Sequence, residues 1–465
     1  SDRFSCDDIP RDQRVRAHDV FQWSWCYLML FVATGWRLFG VSWSALAPMH
    51  GLLFGISLAL SYAILRLGTG RVLASLASLA LCVSAVQLFN LPHLRDFAKA
   101  PLVLGLIYVT LVIAVRPLKA RAVLGTGALF GALLGIGYGF RTDLLANIPP
   151  FVVAVVGFLP GGLFRNLRLK VGAIVLATMA FVATAWPVTH AVLRDGGCQF
   201  HVVLLGLATG FNDDLGVSRA VYQVTPGYAD ELVHTQGASY WNRLYSPGDL
   251  HYCSPGYDAA TAAYFRDIVL TFPADMLTRA YASILHVSDV PFSWWDTPLP
   301  GLARGFYHLR LMVLKPLRGL GRLAVMLAVV VLAGVSIRYG VLALLFVLYF
   351  AGYPALQFAN RHYFHLEVMG WWAMCFLAWR AWLLFRRQQD GAPTTAAEWM
   401  PYARRAVAFT VCAVVCLSVP LTALRFYQDR LVHRMITHLL DAPRMPLEMV
   451  VSTDGRSLAP KTGRL

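Results

Sequence analysis

Charge is what this sequence has least of. Asp, Glu, Lys and Arg make up 14% of its 465 residues, against 57% hydrophobic residues, whereas soluble domains carry about 25% charged residues. Too little polar surface is available to coat a water-soluble globule, and the apolar content equally excludes a disordered chain. The eight Cys are scattered without a CxxC pair, which argues against a zinc cage or a dense disulfide framework. A GxxxxGKS/T phosphate loop is missing, so no cytoplasmic ATPase activity is expected. No internal repeat is visible either, which weighs against the inverted-repeat transporters.

Long apolar runs are what the sequence has instead. A membrane helix needs about 20 mostly apolar residues, and ten stretches qualify: 44–65, 72–91, 101–116, 122–140, 144–162, 171–191, 321–337, 340–356, 366–385 and 405–424. The stretch 122–140 is rich in the small residues that let membrane helices pack closely. The expected fold is therefore an all-α polytopic membrane protein of about ten transmembrane helices. Its regions would be a first extracytoplasmic loop (1–43), spans (44–191), a large extracytoplasmic loop (192–320), spans (321–424) and an extracytoplasmic tail (425–465).

The net charge of +15 suggests nucleic acid until its placement is read. Arg66, Arg71, Arg116, Lys119, Arg121, Arg165, Arg168, Lys170, Arg338, Arg386, Arg387, Arg404 and Arg405 all fall in every second connection. These thirteen cations, less the acids Asp390 and Glu398, account for +11 of the +15. Short loops rich in Lys and Arg mark the cytoplasmic side, so the basicity records topology and no nucleic-acid partner is expected. The other loops face the periplasm or an equivalent lumen, with a bacterial inner membrane the expected location. Because the chain opens on Ser1 in an extracytoplasmic segment, an upstream signal-anchor span is expected to precede it.

That first segment holds Asp2, Asp7, Asp8, Asp12 and Asp19 among four Arg, ahead of an aromatic run at 20–40. Counting 20–40 as a span would invert every later loop. It reads instead as an interfacial helix with Trp23, Trp25, Tyr27 and Trp36 at headgroup level. Asp7 and Asp8 would then lie near the membrane surface, where a carboxylate can act as general base or hold a divalent cation. A mutually neutralising charge cluster is the alternative.

The run WCYLMLFVATGWRLFGVSWSALAPMHGLLFGISLALSYAILRLGTG resembles part of the first lumenal loop and the next span of the GT-C membrane glycosyltransferases, which include the lipid A aminoarabinose transferases and the protein O-mannosyltransferases. CDDIPRDQR occupies the place of that family's acidic pair. HLRDFAKAPLVLGLIYVTLVIAVRPLKAR, GALLGIGYGFRTDLLANIPPFVV and NRHYFHLEVMGWWAMCFL are similar, in order, to its later lumenal turns and spans. Two departures are Asp8 where Glu is common and Arg-His-Tyr in place of Arg-Tyr. The resemblance covers about residues 5–385 of the chain. It implies a sugar donor on a polyprenyl phosphate and transfer with inversion on the extracytoplasmic side. Asp7 or Asp8 would take the acceptor's proton, and the acceptor is a glycan, lipid or protein left unspecified. Arg95, Lys99, Arg141 and Arg361 sit in turns on that side and would hold the lipid phosphate, whose charge grows as the glycosidic bond breaks. Arg11, Asp12, His362 and Tyr363 are supporting candidates. Snorkelling to headgroups, or pairing within Arg95–Asp96 and Arg141–Asp143, is the plain alternative for the cations. No metal ligand set is demanded, and a divalent cation at Asp7 and Asp8 stays open.

In the long loop, Tyr and Trp are numerous and could stack on sugar rings, or the loop could be an ordinary amphipathic lid. Cys198 and Cys253 are a candidate disulfide there, with Cys6 a rival partner. Cys412 and Cys416 share a helix face and read as packing residues. A transporter or lipid flippase, and a non-catalytic cell-envelope assembly subunit, are the competing functions. A transporter should carry charged residues at mid-membrane, and these spans are nearly free of them.

Overall fold

The computed structural model describes residues 23–159, 164–195, 198–208, 210–223, 228–245, 248, 250–293, 301–390, 396–443, 449–451 and 458–460. The principal helices are α1 (Cys26–Phe39), α2 (Ala47–Leu65), α3 (Arg71–Cys82), α4 (Ala100–Val115), α5 (Ala120–Tyr138), α6 (Ile148–Phe158), α7 (Leu167–Asp195), α8 (Gln199–Ala208), α9 (Asp230–Leu244), α10 (Pro255–Thr271), α11 (Pro273–Ser288), α12 (Gly301–Leu314), α13 (Leu320–Val335), α14 (Ile337–Gly352), α15 (Glu367–Gln389) and α16 (Ala396–Asp441). Short helical turns link them, and one small antiparallel ribbon pairs Met449–Val451 with Leu458–Pro460.

Among the described residues, seven helices are long and apolar enough to cross a bilayer, or up to nine if each of two bent pairs counts as one span. A polytopic helical membrane protein accounts for this, with fewer candidate spans among the described residues than the ten apolar runs of the sequence. The run 72–91 is interrupted: α3 ends at Cys82 and a second short helix starts at Ala85. At the break, the Ser84 hydroxyl donates to Glu367. The run 144–162 opens as a 3-10 turn over Thr142–Asn147, and α6 adds only 11 residues, about 17 Å at ~1.5 Å per residue. Pro149 and Pro150 explain that start, because proline fits the first turn of a helix and not its interior. Within the segment read as a long loop, α10 and α11 meet at 90° and together have the composition of a broken span. Phe272 and Pro273 form the corner, where Pro273 occupies the first helical position.

α1 has 14 residues, about 21 Å, which is short of a bilayer crossing. Its exposed Met29, Leu30, Leu38 and Phe39 suit an interfacial position. The last apolar run and the amphipathic stretch after it form one helix, the 46-residue α16. Cys412 and Cys416 are exposed on it as free thiols, not packed inside as their spacing suggested. α16 lies at the edge of the bundle, so most of its faces meet no neighbour.

Glycine sets the closest helix pair. Gly127, Gly131 and Gly135 of α5 face Ala173, Ala177 and Phe181 of α7, and a Cβ at any of them would collide with the opposite backbone. Spacing small residues four apart lets two backbones approach and gain dispersion contacts that larger side chains would block. α2 packs on α3 and α4, while α13 packs on α14, α15 and α16.

Candidate functional site

The helix breaks at one end of the bundle gather the charged residues. Arg95 lies in the short turn Leu94–Phe97, Lys99 precedes α4, Arg141 and Asp143 follow α5, and Arg361 with His362 lies in the turn Asn360–Tyr363. Lys99 Nζ contacts Asp143 Oδ2 at 2.5 Å although the lysine is 1% exposed. Arg141 pairs with Asp96, and its Nε lies 3.4 Å from Asp143 Oδ2. His362 Nε2 accepts from Arg361 Nε at 3.2 Å. Its Nδ1 lies 3.5 Å from Arg141 Nη2 and 3.8 Å from Asp143 Oδ2. Arg361 also donates to the Tyr228 hydroxyl at 2.9 Å. The guanidinium of Arg95 lies 4.0 Å from the centre of the Trp25 ring, a cation–π contact.

All four cations expected in separate turns thus share one cluster. Of the two local pairs named as the plain alternative, Arg141–Asp143 forms, whereas Asp96 bonds Arg141 and not its chain neighbour Arg95. Counting only carboxylates and permanent cations among the described residues, Arg95, Lys99, Arg141 and Arg361 face Asp96 and Asp143, a surplus of two positive charges. Burial by itself would raise the Asp143 carboxyl, but Lys99 and Arg141 hold it well below the ordinary carboxylate range. It is therefore a permanent anion that fixes both cations. Burial raises the Tyr228 phenol, with Arg361 partly offsetting it. Its oxygen accepts from Arg361 and from Gln357 Nε2 at 2.7 Å, so its own proton is available to an incoming acceptor.

Neighbouring contacts hold this cluster in place. The Tyr27 and Leu28 amides donate to the Gly139 carbonyl, docking α1 beside Arg141, and Gly139 has no room for a side chain against Tyr27. Gln87 Nε2 donates to the Phe364 carbonyl at 3.0 Å, tying down the turn that carries Arg361 and His362. Arg279, 3% exposed, donates to Asn212 Oδ1 at 2.6 Å and to the Gly206 carbonyl at 3.3 Å. It thereby ties the segment that leads to Tyr228 onto α11.

Of the remaining sequence candidates, Tyr363 is buried and stacks on Phe358 with centroids 4.6 Å apart, apart from the polar contacts described for the cluster. Cys198 and Cys253 are disulfide-bonded, with Cα atoms 4.8 Å apart. Asp7, Asp8, Arg11, Asp12 and Cys6 lie outside the described residues. No group of His, Cys, Asp and Glu suited to a metal ion occurs among the described residues. Sequence reasoning passed over Tyr228, Gln357 and the role of Trp25 beneath Arg95. Only the run of aromatic residues hinted at the last. Searches against protein-family models, curated proteins and solved structures find no match.

Proposed function

We propose that this protein is an integral-membrane glycosyltransferase of GT-C type that transfers a sugar from a polyprenyl-phosphate donor to an acceptor on the extracytoplasmic side. The observation that carries the reading is the convergence of Arg95, Lys99, Arg141 and Arg361, with a surplus of two positive charges among the described residues, at the end of an apolar helical bundle. A surplus at membrane level suits one lipid phosphate. The two carboxylates hold the cations in place before the ligand arrives, and preorganised charge costs no rearrangement at the moment of reaction.

In this reading Arg361 and Arg95, the cations without a described carboxylate partner, receive the phosphate oxygens together with the Tyr228 hydroxyl. Arg141 adds long-range charge. As the bond between the anomeric carbon and the phosphate oxygen breaks, these groups stabilise the negative charge that collects on the leaving group. Asp7 or Asp8 removes the proton of the acceptor hydroxyl as that oxygen attacks from the opposite face, which inverts the anomeric centre. The basic connections face the cytoplasm of a bacterial inner membrane, and the cluster faces the periplasm. Trp25, which follows that segment in the chain, lies against Arg95.

The test is donor turnover by purified protein given radiolabelled polyprenyl-phosphate sugars, comparing wild type with Asp7→Asn, Asp8→Asn and Arg361→Gln. Wild type should release polyprenyl phosphate and label the acceptor fraction of a membrane extract. Arg361→Gln should raise KM, and loss of the acting carboxylate should lower kcat. No donor consumption by wild type, or full activity in all three variants, overturns the reading.

A further inference from the structure

A cavity of about 470 Å³ lies between the α2–α4 pair and the group formed by α13, α14 and α15. Its size is in the range of pockets that hold a drug-sized ligand, ~300–1,000 Å³. Ile107 and Leu111 of α4 form one wall, with Val329, Leu342, Phe346 and Phe376 opposite. Along α14 it extends from Tyr339 to Phe350, about 16 Å at ~1.5 Å per residue, or roughly one leaflet of a ~30 Å hydrocarbon core. Among the described residues, its only charged lining residues are Arg66 and Arg116. They are the C-caps of α2 and α4, at the far end of α4 from Lys99. Arg66 is half-exposed and Arg116 exposed. Arg66 donates through Nη1 to the Thr69 carbonyl at 2.5 Å, which fixes its guanidinium and leaves its other donors free to bond elsewhere.

We propose that this slot is a binding site for an anionic glycerophospholipid of the leaflet at the basic end, separate from the donor site. One acyl chain fills the slot and the phosphate lies between Arg66 and Arg116. An unfilled apolar slot of this size would forfeit dispersion contacts along its walls, so a chain from the bilayer enters it. Chain burial confers no headgroup preference, because the slot is no more apolar than the lipid interior it replaces. The paired N–H groups of the two guanidiniums match the phosphate oxygens of any glycerophospholipid, and selectivity comes from their two positive charges, which favour a net-anionic headgroup over one that carries its own ammonium. A polyprenyl phosphate bound at Arg95 and Arg361 would have its anion at the opposite end of the bundle, so the two lipids do not compete.

The test is native mass spectrometry of the whole chain released from nanodiscs of equimolar phosphatidylglycerol and phosphatidylethanolamine. Wild type should retain one phosphatidylglycerol after the annular lipids are stripped. The Arg66→Gln, Arg116→Gln double variant should lower the ratio of retained phosphatidylglycerol to phosphatidylethanolamine by about tenfold. Ala343→Phe, which fills the slot, should retain neither lipid. A second measurement covers the case in which Ala343→Phe fails to fold. Photoactivatable phosphatidylglycerol with its reactive group near the chain end should label wild-type peptides containing Phe346 or Phe350. Equal retention of both lipids by wild type, undiminished retention by the double variant, labelling elsewhere, or displacement by added polyprenyl phosphate would each overturn the proposal.

Discussion

Two buried charged clusters lie a few residues apart along the chain, and they are built differently. Around His362, four cations meet two carboxylates, and the Oδ1 atom of Asp143 is buried without a hydrogen-bond partner among the described residues. Around Glu367, one carboxylate meets one cation. Arg310 donates to it at 2.9 Å, the Trp371 ring nitrogen at 3.2 Å and Gln87 at 3.4 Å, with Ser84 completing the set. Glu367 is 0% exposed and Arg310 8%. A charge-balanced pair attracts no further ion, even though Arg310 Nε is also buried without a hydrogen-bond partner among the described residues, and its role is to pin α12 to the bundle. A cluster with surplus charge is held partly by its own carboxylates and keeps capacity for an anion from outside. Stoichiometry, more than burial, separates the structural site from the receptive one.

The contrast can be broken first at the balanced pair. Arg310→Ala should destabilise the protein by about 3–5 kcal/mol, the cost of leaving a buried carboxylate without its partner, read as a fall in thermal midpoint in detergent. Replacing both Arg310 and Glu367 by Met should recover much of that loss, because an apolar pair of similar volume needs no partner. Arg361→Gln tests the receptive cluster. Affinity for polyprenyl phosphate should fall about tenfold to a hundredfold, or ~1.4–2.8 kcal/mol, in a titration by microscale thermophoresis. Its thermal midpoint should move less than that of Arg310→Ala. Equal destabilisation by the two variants, with affinity unchanged, would erase the distinction.

Acid sharpens the comparison further. The folded pKa of Asp143 is depressed, so the stability it contributes is fully present above the unfolded value of about 3.9 and is lost as pH falls toward the folded value. Wild type should therefore lose stability progressively below about pH 4. Asp143→Asn should be less stable at neutral pH and show a shallower acid limb in unfolding scans. The smallest effect belongs to an exposed pair that resembles neither cluster. Arg387 and Glu398 meet at 2.7 Å but are nearly half-exposed, and Glu398→Gln should change stability by no more than ~0.5 kcal/mol.

Much of the candidate site was legible as residue types in unusual places. Arg95, Lys99, Arg141 and Arg361 stood out because turns opposite the basic loops should carry few cations. Their partners did not stand out. Asp96 looks like a mate for Arg95 one position away, yet it bonds Arg141, because adjacent residues in a helical turn point in different directions. Arg310 and Glu367 are 57 residues apart, and nothing in either local sequence marks the other. The helix count shifted for a similar reason. Runs such as 72–91 are apolar enough to span, but Ser84 turns away to reach Glu367, an attraction invisible to a hydropathy window.

By itself the sequence determined that this is a helical protein suited to a membrane, since apolar runs of this length must satisfy their backbone groups internally in lipid. It also marked 122–140, through its small residues, as a helix that a neighbour could approach closely. Only the tertiary structure decided which apolar runs stay unbroken, which carboxylate holds which cation, and that two arginines at helix ends border an apolar slot. The reason is that periodicity and composition act within a helix turn or two, whereas charge pairing depends on distances of a few ångströms between residues far apart along the chain.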